Sequence, residues 1–169
     1  LKGRTKMDDS RPFLRIEAVK WREHLFFNLL NFTCFKNSDW KHPFLTDSVR
    51  KLSPLTVIPY VVFMEIVLFR GKRYFIMLKQ RIAGMLVINE KPEALYISSL
   101  AVVAEYRKRG VAAYMLKKAS WMAELLNKNW LELSVSKLNV PALRLYRKSG
   151  FTKKKDKRWS LILRKEIQK

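Results

Sequence analysis

The sequence predicts a mixed α/β layer fold. Three observations carry that prediction. Two apolar runs face each other across a short polar break at Lys79 and Gln80, as in a β-hairpin. A mostly apolar run at 94–103 passes through a basic turn into a helix-spaced segment. Beyond it, strand-like alternation, a short helix and a basic hairpin follow in order. The expected series is helices, a β-meander, then β-α-β-α-β-β.

Each element has its own signal. In residues 21–34, Leu25, Phe26, Leu29, Leu30 and Phe32 recur at spacings of three and four, an amphipathic helix with a wide apolar face. Residues 36–43 read as a loop, and Asp47 with Ser48 caps a short helix over 49–52. The run 55–69 stays open between a buried strand, from its β-branched and aromatic content, and a helix, from its length. Residues 74–78 and 81–88 form the hairpin, and 89–93, with Pro92, break the chain. Residues 94–103 suit a central strand buried on both faces. Gly110 opens a helix to about residue 126, with Val111, Tyr114, Met115, Lys118 and Met122 at helical spacing. Leu131, Leu133 and Val135 alternate with Glu132, Ser134 and Ser136 in a strand. Residues 141–148 form a short helix between Asn139, a cap, and Gly150, a stop. The segments 151–154 and 159–163 close the chain as a hairpin.

Composition narrows the functional classes. One chain of 169 residues and 20.1 kDa is long enough for a real core and short for two, so a single domain is expected over 1–169. With 5 Gly and 6 Pro, collagen and low-complexity chains are excluded. Cys34 is the one cysteine, which excludes an internal disulfide and a cysteine-based zinc site. His24 and His42 are too isolated to suggest a metal site, and no metal is expected. Residues 55–69 contain Pro59 and Glu65 and are too short to span a bilayer. Residues 1–6 are polar and basic with no apolar leader core behind them, so a cytoplasmic protein is expected. The first residue is Leu1 rather than Met, so a few residues upstream are expected.

Charge is the most unusual quantity. Lys and Arg total 35 against 14 Asp and Glu, a net +21. Residues 104–169 hold 18 basic and 5 acidic residues, so the C-terminal part is the more basic. Such a field attracts polyanions and repels polycationic substrates over about a Debye length, roughly 8–10 Å at moderate salt. A solvated basic surface would look the same, so charge alone selects no partner.

Arg107-Lys108-Arg109-Gly110-Val111-Ala112 stands between the buried strand and its helix. A helix N-terminus presents unpaired N–H groups and a partial positive charge, an anion site made of backbone. Gly110 has no side chain and Ala112 only a methyl, so a phosphate can approach closely. The loop is not a Walker A sequence, and it lacks the three glycines of a dinucleotide fingerprint. It resembles instead the Arg/Gln-x-x-Gly-x-Gly/Ala loop of the GNAT acyl-CoA N-acyltransferase superfamily. Leu100-Ala101-Val102 precedes it, and Asn139-x-x-Ala142-x-x-Leu145-Tyr146-x-x-x-Gly150-Phe151 resembles that family's second motif. Residues 79–84 resemble its meander, and the likeness covers about 74–167.

The resemblance implies a mostly antiparallel central sheet with a splayed strand pair, flanked by helices. It implies acetyl-CoA as cosubstrate, with residues 70–169 as the acetyl-CoA core and 1–69 shaping the acceptor side. Arg107, Lys108, Arg109, Gly110, Val111 and Ala112 would wrap the pyrophosphate, while Leu100, Ala101 and Val102 would pair with pantetheine. Asn139 and Ala142 would lie beside that arm, and Arg147, Lys148 or Lys117 would reach the 3′-phosphate. Tyr146 would protonate the departing thiolate, as a phenol in hydrogen-bond reach can. A backbone N–H near Val102 would stabilise the tetrahedral oxyanion.

The base departs from the family pattern. Histone-type relatives carry a glutamate where Tyr96 stands, and bacterial-type protein N-terminal acetyltransferases carry one where Ser134 stands. Glu132, two residues from Ser134 on the same strand face, is the nearest substitute; its competing reading is a solvated glutamate on a strand edge. Tyr96 is a second candidate, and Glu65, inside an apolar run, a third. The expected activity is direct acetyl transfer from acetyl-CoA to a primary amine of a small molecule or protein, by a monomer or homodimer. The alternative is a basic module of the same fold, weak in catalysis, that binds RNA or another polyanion. It draws on the missing base and on the basic run Lys153-Lys154-Lys155-x-Lys157-Arg158, while ribosome association would fit the overall charge.

Overall fold

The computed structural model describes residues 14–20, 23, 30 and 71–168. The elements expected over 36–69 lie outside the described residues, as do His24, Cys34, His42 and Glu65. So does the helix expected over 21–34, apart from Glu23 and Leu30.

Seven strands form one sheet: β1 (Leu14–Ala18), β2 (Lys72–Leu78), β3 (Arg81–Glu90), β4 (Ala94–Val102), β5 (Trp130–Ser136), β6 (Thr152–Asp156) and β7 (Ser160–Glu166). Their order is β1-β2-β3-β4-β5-β7-β6. The four strands β1 to β4 make an antiparallel meander. Helix α1 (Val111–Leu125) crosses over so that β5 lies parallel to β4. Helix α2 (Val140–Lys148) leads into the antiparallel β6–β7 hairpin, and β7 pairs with β5. The expected order holds from residue 72 onward. Strand β1 was not expected: a single short strand among polar residues carries too few periods to stand out, and its pairing with β2 makes it visible.

Alternation sends β-strand side chains to the two faces of the sheet. Leu86, Ile88, Leu95, Ile97, Leu131 and Leu133 face the buried stripe of α1, made by Leu116, Ala119 and Ala123. Phe75, Met85, Val87 and Ala101 form a core on the opposite face. Gly84 permits the close approach of α1, because a Cβ there would collide with the Met115 methyl and the Ala101 carbonyl. Burial of the α1 face at about 25 cal/mol per Å² is what holds the crossover helix against the sheet. Among the described residues, no helix is long and apolar enough to cross a membrane.

The sheet opens at its centre. Strands β4 and β5 pair only from Ala94↔Trp130 to Ile97↔Leu133. Past that rung β4 continues to Val102 against β3 alone, and β5 continues to Ser136 against β7 alone. The β3–β4 register also slips between Val87 and Ile88, leaving Ser98 as an extra residue in β4 where the two strands part.

Candidate active site

A cleft of about 590 Å³ opens at the fork. Leu100, Ala101 and Val102 line one wall, and Arg107, Lys108, Gly110, Val111 and Ala112 line its head. Asn139, Ala142 and Tyr146 come from α2 and its cap. The two sequence motifs therefore meet in one cavity. Arg109 does not line it; its guanidinium lies 5.9 Å from the Tyr106 ring centroid. Tyr106, Ala113, Leu138, Pro141 and Leu145 complete the wall; Leu145 belongs to the second motif, and the other four carried no site assignment in the sequence. Ala113 directly follows the loop motif and Pro141 starts the expected helix, whereas Tyr106 and Leu138 reach the cleft only through the fold.

The head of the cleft is backbone chemistry. Lys108 (φ 59) and Gly110 (φ 79) both adopt left-handed conformations, and a turn of this kind gathers successive N–H groups into a concave nest. Gly110 is the N-cap of α1, and no side chain caps the first turn. The first-turn amides therefore open at the cleft, with the positive end of the helix dipole behind them. The conformation is costly for Lys108, a non-glycine residue, and such strain is characteristic of ligand-binding loops.

The cleft wall offers strand-like hydrogen bonds. The Val103 amide donates to the Ala83 carbonyl at 3.0 Å, so odd-numbered residues here turn their polar groups toward β3. The amides of Leu100 and Val102 consequently face the fork. The Arg107 side chain also reaches this edge, its Nε donating to the Val102 carbonyl at 3.3 Å. An extended amide chain laid along this edge would find an open ladder.

The second motif has a structural reason of its own. Asn139 Oδ1 accepts from the Ala142 amide at 3.2 Å and starts α2, with Pro141 in the first turn. At the other end Gly150 takes φ 85, the Gly150 amide donates to Arg147 and the Phe151 amide donates to Tyr146. These are the two bonds of a Schellman ending, and its accompanying apolar contact is Phe151 against Tyr146, ring centroids 5.7 Å apart. The spacing Tyr-x-x-x-Gly-Phe is thus a helix stop that also clamps the Tyr146 ring. Burial pushes the Tyr146 phenol up to about 12, so it stays protonated throughout the neutral range.

The base candidates sit on the other face of the sheet. Tyr96 and Glu132 are opposite one another on β4 and β5. Glu132 is not a solvated edge residue: it is 5% exposed in a strand paired on both sides, with Lys154 Nζ 2.5 Å from Oε1 and Lys91 Nζ 4.0 Å from Oε2. The edge reading failed because alternation gives the face of a residue but not the strand's place in the sheet. Burial first, and then the Glu132 charge, raise the Tyr96 phenol, while a hydrogen bond with Ser134 opposes them. The Glu132 carboxylate is engaged by Lys154, and the Tyr96 phenol is held above its ordinary value.

Residues 35–151 match the model of the Acetyltransferase (GNAT) family. No curated protein sequence matches the chain. Among solved structures, the ribosomal-protein-S18-alanine N-acetyltransferase from Escherichia coli superposes with a TM-score of 0.63 at 15% identity, over 92% of this chain and 95% of that one. PaiA N-acetyltransferase from Thermoplasma acidophilum, solved with coenzyme A, gives 0.66 at 13% identity over 90% and 98%. Nourseothricin acetyltransferase gives 0.53 at 20% identity, over 58% of this chain and 66% of that one. At these identities the likeness is one of fold.

Proposed function

The chain belongs to the acetyltransferase (GNAT) family and is by family an acyl-CoA-dependent N-acetyltransferase; we propose that it transfers acetyl directly from acetyl-CoA to a primary amine whose chemistry suits a strongly basic protein. The observation that carries this reading is the meeting of residues 100–102, 107–112 and 139–146 in one cleft at the fork. The residues fit the cosubstrate. The Lys108–Gly110 nest and the α1 amides would hold its pyrophosphate, and the free edge of β4 would pair with its pantetheine arm.

Each group then has a task. The Val102 amide faces the fork and would donate to the oxyanion as the amine adds, since the Val103 amide is already taken by Ala83. Tyr146, held by Phe151, would donate a hydrogen bond to the departing sulfur. A thiolate has a conjugate-acid pKa near ~8.5, below that of the buried phenol, so charge stabilisation outweighs full proton transfer at this step. The proton lost by the amine balances the one gained by the thiol. With the Glu132 carboxylate engaged by Lys154, solvent would take the amine proton, and the acceptor would bind as the free amine. Residues 1–69 would form the acceptor side of a single domain working in the cytoplasm.

The test is thermal unfolding with acetyl-CoA and with ATP at matched ionic strength. ATP controls for attraction of any polyphosphate to a +21 chain. A rise in Tm specific to acetyl-CoA is expected; equal shifts, or none, would remove the assignment of the cleft. A second reading, an RNA-binding basic module, draws on β6, exposed throughout with three lysines, and on the exposed Trp159 with Arg158 against its ring. Salt-steep RNA binding indifferent to acetyl-CoA would favour it.

A further inference from the structure

The face of the sheet turned away from α1 carries a charge arrangement that the transfer chemistry does not use. Glu132 is buried in β5, and a buried carboxylate needs a partner and hydrogen bonds to be tolerated. Lys154 supplies them from two strands away. It is the extra residue where the β6–β7 register slips between Lys153 and Lys155, and a bulge re-aims a side chain in this way. Lys91, in the β3–β4 turn, reaches the other carboxylate oxygen at 4.0 Å and lies 4.0 Å from the Tyr96 ring centroid. Arg164, opposite Glu132 on β7 and stacked on Trp130 at 4.2 Å, adds a third cation. One carboxylate would be neutralised by one lysine, so the cluster keeps a surplus of positive charge. The ammonium-bearing side chains of Lys91 and Lys154 are 47% and 44% exposed and have donors left for a ligand.

Position gives the surplus a use. The rung Tyr96↔Glu132 is one step before the last rung of the fork, and Ser134, bonded to Tyr96, is the first residue of β5 beyond it. The cleft is lined from α1 and α2, and the cluster sits one rung from the fork on the other face, so an amine approaching the fork from that face would pass it. We propose that the acceptor amine carries an oxyanion group, carboxylate or phosphate, which Lys91 and Lys154 bind beside the fork, with Glu132 holding Lys154 in place. This rests on the acetyltransferase reading for the identity of the bound molecule, though not for the existence of the anion site.

The experiment is a calorimetric titration of the full chain with glutarate at constant ionic strength, with and without saturating CoA. Wild type should bind glutarate and ignore its uncharged diamide. K91Q and K154Q should each weaken glutarate at least tenfold, K154R should restore most of it, and K155Q, on the same hairpin, should change nothing. E132Q removes a negative charge, so it would tighten an anion if the carboxylate were only a neighbour; as the residue that positions Lys154 it should weaken glutarate instead. No glutarate binding, or equal losses in K155Q and K154Q, would overturn the site, and tightening in E132Q would overturn the positioning role. Tighter binding of inorganic phosphate than of glutarate assigns a phosphorylated amine, and the reverse order assigns a carboxylate. Glutarate binding without CoA binding would fault the acetyltransferase reading and leave the anion site standing.

Discussion

The two faces of the fork handle negative charge by different means. Against α1, the cleft presents backbone: a left-handed turn, uncapped helix amides and a strand edge. Away from α1, the cluster around Glu132 uses side chains brought together from the β3–β4 turn, β5 and β6. The first device depends on local chain conformation and survives large changes of side chain. The second depends on strand order and on two bulges, so one misplaced register would dismantle it. On the proposed reading, polyphosphate would be recognised by backbone at one face and the acceptor selected by side chains at the other.

The strongest way to break the contrast is at the turn. Gly110→Glu places a side chain on a residue at φ 79 and a negative charge inside the nest, and should reduce acetyl-CoA affinity by more than about a hundredfold. Calorimetric titration reads this directly; an unchanged affinity would mean that phosphate is held elsewhere. Glutarate binding on the other face should be untouched by the same change.

Next in size is Tyr146→Phe, which should lower kcat by about tenfold to a hundredfold and leave acetyl-CoA affinity alone. The phenol also makes a stability prediction. Its pKa rises from 10.0 to about 12 on folding, so the folded state favours the neutral form. The resulting stabilisation is fully present below about pH 10 and is lost as pH rises toward 12. Urea unfolding at pH 9 and pH 11 should show a steeper alkaline loss in wild type than in Tyr146→Phe. Parallel losses would mean that the ring is more hydrated than its burial implies.

The smallest effect sharpens the comparison from the opposite side. Glu132→Gln breaks the buried pair with Lys154 and should cost about 1–2 kcal/mol in urea unfolding, moderated because the half-exposed Lys154 can return to water. Acetyl-CoA affinity should stay the same. A parallel fall in acetyl-CoA affinity would show that the two faces are coupled through the fork.

What could be read in advance follows the same division. The residues 107–112 were legible because a glycine between basic residues, after an apolar run and before a helix, states its own conformation. Asn139 and Gly150 were legible as cap and stop, since each acts on neighbours a few residues away, whereas the packing of Phe151 on Tyr146 was not. Tyr146 was singled out by the resemblance to the family's second motif. Strand β1 and the surroundings of Glu132 were not legible. The first has no sequence period long enough to read, and the second needs Lys91, Glu132 and Lys154 to converge from three elements. Glu65, the remaining base candidate, lies outside the described residues.

The sequence by itself determined the β2, β3 and β4 strands, the crossover helix, the basic turn before it and the cap and stop of α2, because these are written in local spacings. Only the tertiary structure decided that β4 and β5 part after Ile97 and Leu133, that both motifs share one cleft, and that Glu132 is buried beneath lysines. Those facts depend on which strands become neighbours. Long-range pairing is decided by the burial of all the faces at once, and no single segment of the chain records it.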